Sequence, residues 1–502
     1  PTARNSSAFR PVFYPQVLTS QLTNQRRKMG GGPHSWRPEV DEDGQLRDMD
    51  VSGWIRTEFR PAEFGDKRLT DRLVQIGDEL GSSPAESIPA SCENWASTKA
   101  TYRFCDNDRV TPAEILSAHK QAQHSRVRGG DELLVVSDTT YLTYPRHPAK
   151  DGLGDISSED IDVQGVKLHS SIGICPDTHR MTGVIDQQVL VEDQQANVDY
   201  ITNGKNDPIE VETQYEKWLR GDRAALEWIP DDIRPIFVHD RGGDAFSLFE
   251  AFGRKRDNTG FIVRANQNRR IWTEDGDAGK LYEWSSDLAE RGRDSIEIQQ
   301  GGGREARTAE VSIATGTCEI RAPKNNPSQE GSVEINVVRV DEVIETDDPI
   351  QWVLLTTESV KTFDDALTII EYYSLRWRIE DWHKVLKSGC EIEERQLQTW
   401  ERMEVLLSVY SVIAWKVLEL RELARGKDSL APETLLSDAE RAVLETKFPE
   451  LSGKSGKAYA VHVAKLGGYL DRGSDPPPGW QTMWKGLQKL RMWAEGYELG
   501  AE

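Results

Sequence analysis

The chain has 502 residues, enough for two to four domains and at least one large core, which excludes a peptide or a miniprotein held together by staples. Aspartate and glutamate number 84 against 62 lysines and arginines, a formal net charge of −22. The longest apolar stretch, Val405 to Trp415, is 11 residues, short of the roughly 18 that a bilayer span needs, and prolines break up an N-terminus with no secretion-signal core. The expectation is a soluble, cytoplasmic protein with no membrane partner.

Cys92, Cys105, Cys175, Cys318 and Cys390 are scattered without a C-x-x-C pair, which argues against a zinc ribbon, a redox dithiol and a disulfide framework. Lysines number 22 and arginines 40. Two readings of this acid-rich, lysine-poor balance stay open: GC-rich codons with an ordinary solvated surface, or a salt-accumulating host in which dense carboxylates maintain solubility. A polyanion is normally met by a positive surface, so the total charge speaks against nucleic acid as a partner. A local basic cleft on an acidic protein is still compatible with one.

Residues 1–48 carry a glycine run, prolines, serines and an acidic cluster without apolar periodicity, and read as a disordered tail. From Val51 to about Gln123 the pattern is helical, with one helix over Arg68–Leu80 and another starting at Pro112 behind an N-cap at Thr111. Basic residues gather in this module (Lys67, Arg68, Arg72, Lys99, Arg103), although an ordinary charged helix surface looks the same. Short apolar runs follow at Leu133–Val136, Leu168–Ile174, Val184–Val191 and Ile236–Val238, the strands of an α/β core. Residues from about 260 to 358 alternate β-rich segments with glycine-rich breaks and read as a β insertion. The run Gly301–Gly303 lacks the Lys-Ser/Thr of a phosphate loop and reads as a hairpin tip. Helices are expected over Asp364–Ser388, Glu401–Arg425, Lys457–Leu470 and Trp480–Trp493.

On the first of these helices, Tyr373, Arg376, Glu380 and Lys387 fall within about 60° of one another at 100° per residue. Leu375, Ile379, Trp382 and Leu386 form a separate apolar stripe. A solvated row of intrahelical ion pairs would look the same. Two further carboxylates, Asp138 and Asp240, each follow a buried strand, and either alone reads as a turn cap. Three such acids together point to a shared site.

The text Tyr373-x2-Arg376-x3-Glu380-x6-Lys387 resembles the YREK signature of the DDE transposases of insertion-sequence family four. The resemblance runs over most of residues 52–495, through FGDKRLTDRL, TYRF, SDTTYLTY, HDRGGD, WVLLTTE, ERM and KLGGYLD. It implies a ribonuclease-H-like (retroviral-integrase-like) α/β catalytic core with a β-rich insertion. Asp138, Asp240 and Glu380 would hold two Mg²⁺ or Mn²⁺ ions, hard cations that take carboxylate oxygens and clamp the attacking and leaving oxygens of a phosphoryl transfer. The implied division of the chain is a tail at 1–48, an N-terminal helical DNA-binding domain at 49–123, a catalytic domain at 124–425 and a C-terminal helical dimerisation domain at 426–502.

The activity implied is cut-and-paste transposition, in which a homodimer in a synaptic complex binds terminal inverted repeats, nicks and hairpins the ends, and joins them to target DNA. Trp352 would support a flipped base, Tyr373, Arg376 and Lys387 would contact phosphates around it, and Arg264 would touch DNA. Lys67, Arg68, Arg72, Lys99, Tyr102 and Arg103 would belong to the end-reading domain. In a prokaryote the protein would be nucleoid-associated. Alternatives are a domesticated, non-catalytic DNA-binding regulator, a metal nuclease without strand transfer, and a carboxylate-pair glycosidase. The last suits the Arg, Lys and Tyr neighbours of Glu380 least.

Overall fold

The computed structural model describes residues 53–127, 132–146, 150–156, 163–193, 198–203, 206–211, 215–253, 258–273, 276–298, 307–323, 331–344, 346, 348–425, 431–473 and 475–501. The expected tail and the Gly301–Gly303 hairpin tip lie outside these residues.

Helices α1 (Gly53–Phe59), α2 (Lys67–Ser82), α3 (Ile88–Ser91), α4 (Trp95–Cys105) and α5 (Pro112–Val127) form the N-terminal module. Their starts are set by side chains that accept otherwise unpaired backbone N–H groups: Asp66 from Arg68 at 3.0 Å, Asn94 from Ser97 at 3.0 Å, and the expected Thr111 from Glu114 at 3.2 Å.

The sheet begins with β1 (Glu132–Thr143), the two-residue β2 (Gly154–Asp155), β3 (Gln164–Ile174) and β4 (Met181–Asp193), and continues outward through β5 (Val198–Asn203) and β6 (Asn206–Val211). β1, β3 and β4 make an antiparallel meander. Helix α6 (Glu216–Trp228) then crosses to β7 (Arg234–His239), which pairs parallel to β1, and α7 (Phe246–Gly253) crosses to β8 (Gly260–Arg264), parallel to β7. The resulting order, β4-β3-β1-β7-β8, is that of a ribonuclease-H-like core.

The insertion comprises β9 (Arg270–Thr273), β10 (Gly276–Lys280), α8 (Leu281–Ser286), β11 (Glu290–Ile298), β12 (Arg307–Arg321), β13 (Ser332–Glu342) and β14 (Gln351–Thr356). It does not build a separate sheet. β14 pairs antiparallel with β8, so the inserted strands extend the core sheet at its free edge. The sequence reading started the insertion at about 260, which takes in β8; the parallel pairing of β8 with β7 makes it a core strand.

Alternation along the buried strands feeds two cores. Leu134, Val136, Ile236, Val238 and Ile262 face one side, where α9 (Phe363–Leu375) and α10 (Trp377–Lys384) lie. Leu133, Val135, Phe237, Phe261 and Val263 face the other, covered by α6 and α7.

The single long helix expected over Asp364–Ser388 is one helical path with two irregularities. Arg376 joins α9 to α10 at φ −53° and ψ −31°, and Val385–Gly389 form a π-turn. A Cβ on Gly389 would stand 3.0 Å from the Trp480 ring, so this turn brings the backbone against the C-terminal region.

Helix α11 (Trp400–Arg425) is buried almost all round, which accounts for the apolar run within it. Its buried charges are paired: Lys416 with Glu419 at 2.8 Å, Glu419 with Arg180 at 2.6 Å and Glu422 with Arg378 at 2.5 Å. α2, α4 and α5 pack on it, as do α13 (Gly456–Leu466) and α14 (Trp480–Ala501), with α12 (Asp438–Lys447) against α14. α13 stops before the expected Leu470 because Gly468 turns into the left-handed region at φ +102°, with the Tyr469 N–H closing back on the Ala464 carbonyl at 3.0 Å. Gly467 and Gly486 let α13 and α14 touch backbone to backbone; a Cβ on either would lie within 2 Å of a carbonyl oxygen of the opposing helix. No helix among the described residues is long and apolar enough to cross a membrane.

Candidate active site

The two acids are placed by register, but only Asp240 ends its strand: β1 runs on to Thr143, and Asp138, expected at a strand end, pairs with Ser170 of β3 in mid-strand. Ser137 of β1 pairs with His239 of β7, and the next residue on each strand is the acid. Because Leu134 and Val136 share a face with Ile236 and Val238, Asp138 and Asp240 continue that same face, toward α9 and α10. The turn after Asp240 is tight: its carboxylate accepts the Gly242 N–H at 2.7 Å, and a Cβ on Gly243 would stand 2.6 Å from His239 Cβ. Both glycines of HDRGGD are thereby explained.

Glu380 arrives from α10. Arg376, one turn earlier, donates from Nη2 to Glu380 Oε1 at 2.7 Å, while its Nη1 lies 3.9 Å from Asp138 Oδ2. The guanidinium therefore spans two of the three acids. Burial pushes the Asp138 carboxyl up to about 7; Arg376 opposes that rise, and the neighbouring charges of Asp240 and Glu380 add to it. Asp138 thus feels the charge of both other acids. Burial disfavours the Arg376 charge, but Tyr373, Glu380 and Asp138 outweigh it and hold the group firmly protonated.

The other residues of the signature sit differently from a row of solvent-facing contacts. Tyr373 is 2% exposed and Trp352 7%; their rings meet edge to face at 5.1 Å between centroids. A base-stacking role for Trp352 requires its indole to leave that contact. Arg264 donates to the Gln351 carbonyl at 2.8 Å. Lys387 lies beyond the start of the π-turn, which alters the 100° phase assumed for it. Its Nζ donates to the Tyr141 carbonyl at 2.7 Å, back on β1. His383 is buried, and burial drives its imidazole down to about 3.

A polar layer lies under the acids on the opposite face of the sheet. His239 meets Asp222 of α6 at 3.1 Å, His169 meets the Thr139 hydroxyl at 2.9 Å, and the Trp218 ring stands between the two imidazoles at 4.7 and 4.6 Å. These residues buttress β1 and β7 directly beside Asp138 and Asp240. Sequence reading missed them because they belong to four separate elements with no shared spacing. The exposed Arg241 stands next to Asp240 within HDRGGD, where its adjacency to the acid is the signal that marks it.

In the N-terminal module, Lys67, Arg68, Lys99 and Arg103 are exposed, Arg68 paired with Asp66 at 2.9 Å. Arg72 donates to Gln75 at 2.7 Å, and Tyr102 packs partly into the core. Trp95, unremarked in the sequence, is 64% exposed with the Lys99 ammonium 5.3 Å from its ring centroid. Trp95, Lys99 and Arg103 follow i, i+4, i+8 on α4 and share its solvent face.

Residues 51–110 match the transposase DNA-binding family, and residues 188–415 match the transposase DDE domain. The chain carries the DNA-binding and DDE domains of a DNA transposase. Among solved structures it is similar to a piggyBac transposase synaptic complex with hairpin DNA, at 10% identity, covering 88% of this chain and 72% of that one with a TM-score of 0.34. That likeness carries no weight for the site.

DDE transposases depend on divalent metal ions. The donor chemistry fits: three carboxylates supply hard oxygen ligands, and the high proton affinity of Asp138 comes first from burial, with the charges of Asp240 and Glu380 adding to it and Arg376 opposing it. As they stand, no three His, Cys, Asp or Glu side chains among the described residues close into a metal-binding group. Arg376 occupies the Glu380 oxygen instead.

Proposed function

We propose that this protein is a cut-and-paste transposase in which Asp138, Asp240 and Glu380 hold two Mg²⁺ or Mn²⁺ ions. The observation that carries the reading is that strand register sets Asp138 beside Asp240 while Arg376 of the signature helix links Asp138 to Glu380. Bound there, the ions would polarise phosphodiester oxygens and lower the pKa of water.

The chain's own part is positional. Asp138, within β1, and Asp240, just past β7, are neighbours across paired strands and are buttressed from beneath, so their separation is fixed by the sheet. Arg376, Arg264 and Arg241 gather positive charge at the same edge, where a phosphate backbone must lie. Water attacks one strand and frees a 3′-hydroxyl; that hydroxyl attacks the opposite strand to give a hairpin, which water reopens; and the same 3′-hydroxyl then attacks target DNA. Each step exchanges one oxygen for another at phosphorus, so a single set of acids serves all of them.

We assign end recognition to the N-terminal module (49–123), catalysis to 124–425 and dimerisation to 426–502. Exposed apolar residues at the C-terminal end, Leu470 at 62%, Met492 at 61% and Tyr497 at 51%, support a protein interface there. A second copy of the chain is the partner that a two-ended reaction calls for. Incubating the protein with labelled duplexes cut from the boundaries of its own gene, with and without Mg²⁺, tests the reading. Metal-dependent nicks and hairpins at one fixed boundary position are expected; cleavage without positional preference would reduce the protein to a nuclease.

A further inference from the structure

Arg376 is the signature residue whose placement the assigned role explains least. A phosphate-contacting arginine is expected to present its fork to solvent, yet this residue is 8% exposed and turned onto the acids. Its Nη2 holds Glu380 Oε1 at 2.7 Å, its Nη1 stands 3.9 Å from Asp138 Oδ2, and its Nε is buried without a hydrogen-bond partner. The Tyr373 and Trp377 rings lie 5.8 and 5.7 Å from the guanidinium carbon. The two ends of the ion pair differ: Arg376 is enclosed, whereas the Glu380 side chain is 43% exposed.

We propose that Arg376 and a divalent cation compete for the same carboxylate oxygens, so that Arg376 sets the metal affinity of the site and is released to a DNA phosphate when the cation binds. This rests on the reading of Asp138, Asp240 and Glu380 as metal ligands. A guanidinium and a dication are alternative counter-charges for one cluster of carboxylates, and the oxygen that accepts from Nη2 lends that lone pair to only one of them. Glu380, half open to water, is the partner that lets go readily. Arg376 sits where the helix changes from α9 to α10, within reach of both acids, and its planar fork matches a phosphate as well as it matches a carboxylate. Linkage is reciprocal: a phosphate that draws Arg376 away raises metal affinity, and a cation that displaces Arg376 raises affinity for the phosphate. The site would therefore reach its charged, cutting arrangement mainly when metal and DNA are present together.

The test is Mn²⁺ binding to the full chain without DNA, read from the free-ion EPR signal, with circular dichroism to establish folding. Arg376→Gln removes the competing charge and should bind Mn²⁺ about tenfold more tightly than the wild type or better, since a unit charge within 4 Å has been lost from a poorly solvated site. Arg376→Lys keeps the charge but loses the fork that spans both acids, and should fall between the two. Should the Gln variant fail to fold, the Lys variant decides alone: tighter Mn²⁺ binding than wild type supports competition. Affinity in the folded variants equal to or weaker than wild type overturns it. Adding Glu380→Gln to either variant separates the two claims. Loss of the tightened site supports the acids as ligands, whereas its retention overturns the metal-ligand reading itself.

Discussion

Asp138 and Asp240 lie side by side at the same level of neighbouring parallel strands, each one residue past the paired Ser137 and His239, although β7 ends there and β1 runs on to Thr143. Adjacent strands are about 4.8 Å apart, so this register alone holds two carboxylates within reach of a common cation. Replacing either by Asn, or Glu380 by Gln, should reduce strand cleavage ~10³-fold or more while leaving binding of end DNA intact. Gel assays of cleavage and of binding on the same labelled end would check both halves. Wild-type-like cleavage by Glu380→Gln would remove it from the reaction.

The strands bearing these acids were legible as short apolar runs buried on two faces, but only β7 stops at its acid; the polar residues after Asp138 hid the continuation of β1 to Thr143. The signature helix was legible from its spacing, but only to Glu380. The π-turn at Val385–Gly389 leaves no mark in a periodicity count, so the placement of Lys387 was not accessible from sequence. Nor was the inward turn of Arg376, which depends on strands more than a hundred residues away. The sheet's continuity through the insertion was hidden for a related reason: alternation identifies a strand but says nothing about which edge it joins.

Trp352 offers a separation of roles. Its indole is core-packed on Tyr373, so Trp352→Ala should cost about 3–5 kcal/mol of stability as a buried aromatic lost. If the indole also supports a flipped base, the folded molecules that remain should nick ends but hairpin them poorly. The ratio of hairpin to nick within one reaction is independent of the folded fraction. A lower ratio is expected, and an unchanged ratio would leave Trp352 a packing residue only.

On α4, the exposed Trp95 and the Lys99 beside it should contribute to DNA binding through different physics. Lys99→Ala removes a phosphate charge and should lower the slope of log affinity against log salt by about 1. Trp95→Ala should weaken binding by roughly 1–3 kcal/mol with the slope preserved, because stacking or groove contact releases no counterions. Fluorescence anisotropy over a KCl series measures both. A change in slope for Trp95→Ala would place its effect on the position of Lys99.

Glu58 of α1 is held by α5, which in turn reaches β4 through His119, and predicts how this packing responds to acid. Its carboxylate is 2% exposed and meets His119 Nδ1 at 2.5 Å and Arg126 Nη1 at 2.6 Å, both on α5. His119 Nε2 accepts the Val184 N–H at 3.0 Å, so the proton of a neutral imidazole lies on Nδ1, facing Glu58. Burial alone would raise the Glu58 carboxyl. Arg126 and His119 outweigh it and hold the group at about 2, below its ordinary 4.5. A depressed carboxyl contributes stability that is fully present above pH 4.5 and is lost as pH falls toward 2. Glu58→Gln leaves Arg126 facing a neutral amide and should cost about 3–5 kcal/mol at pH 7. Its deficit against wild type should shrink as pH falls through that window, since acid removes the same charge from the wild type. Thermal unfolding of both proteins from pH 7 to pH 3 would follow the convergence, and a deficit that stays constant down to pH 3 would assign the loss to packing rather than to the ion pair.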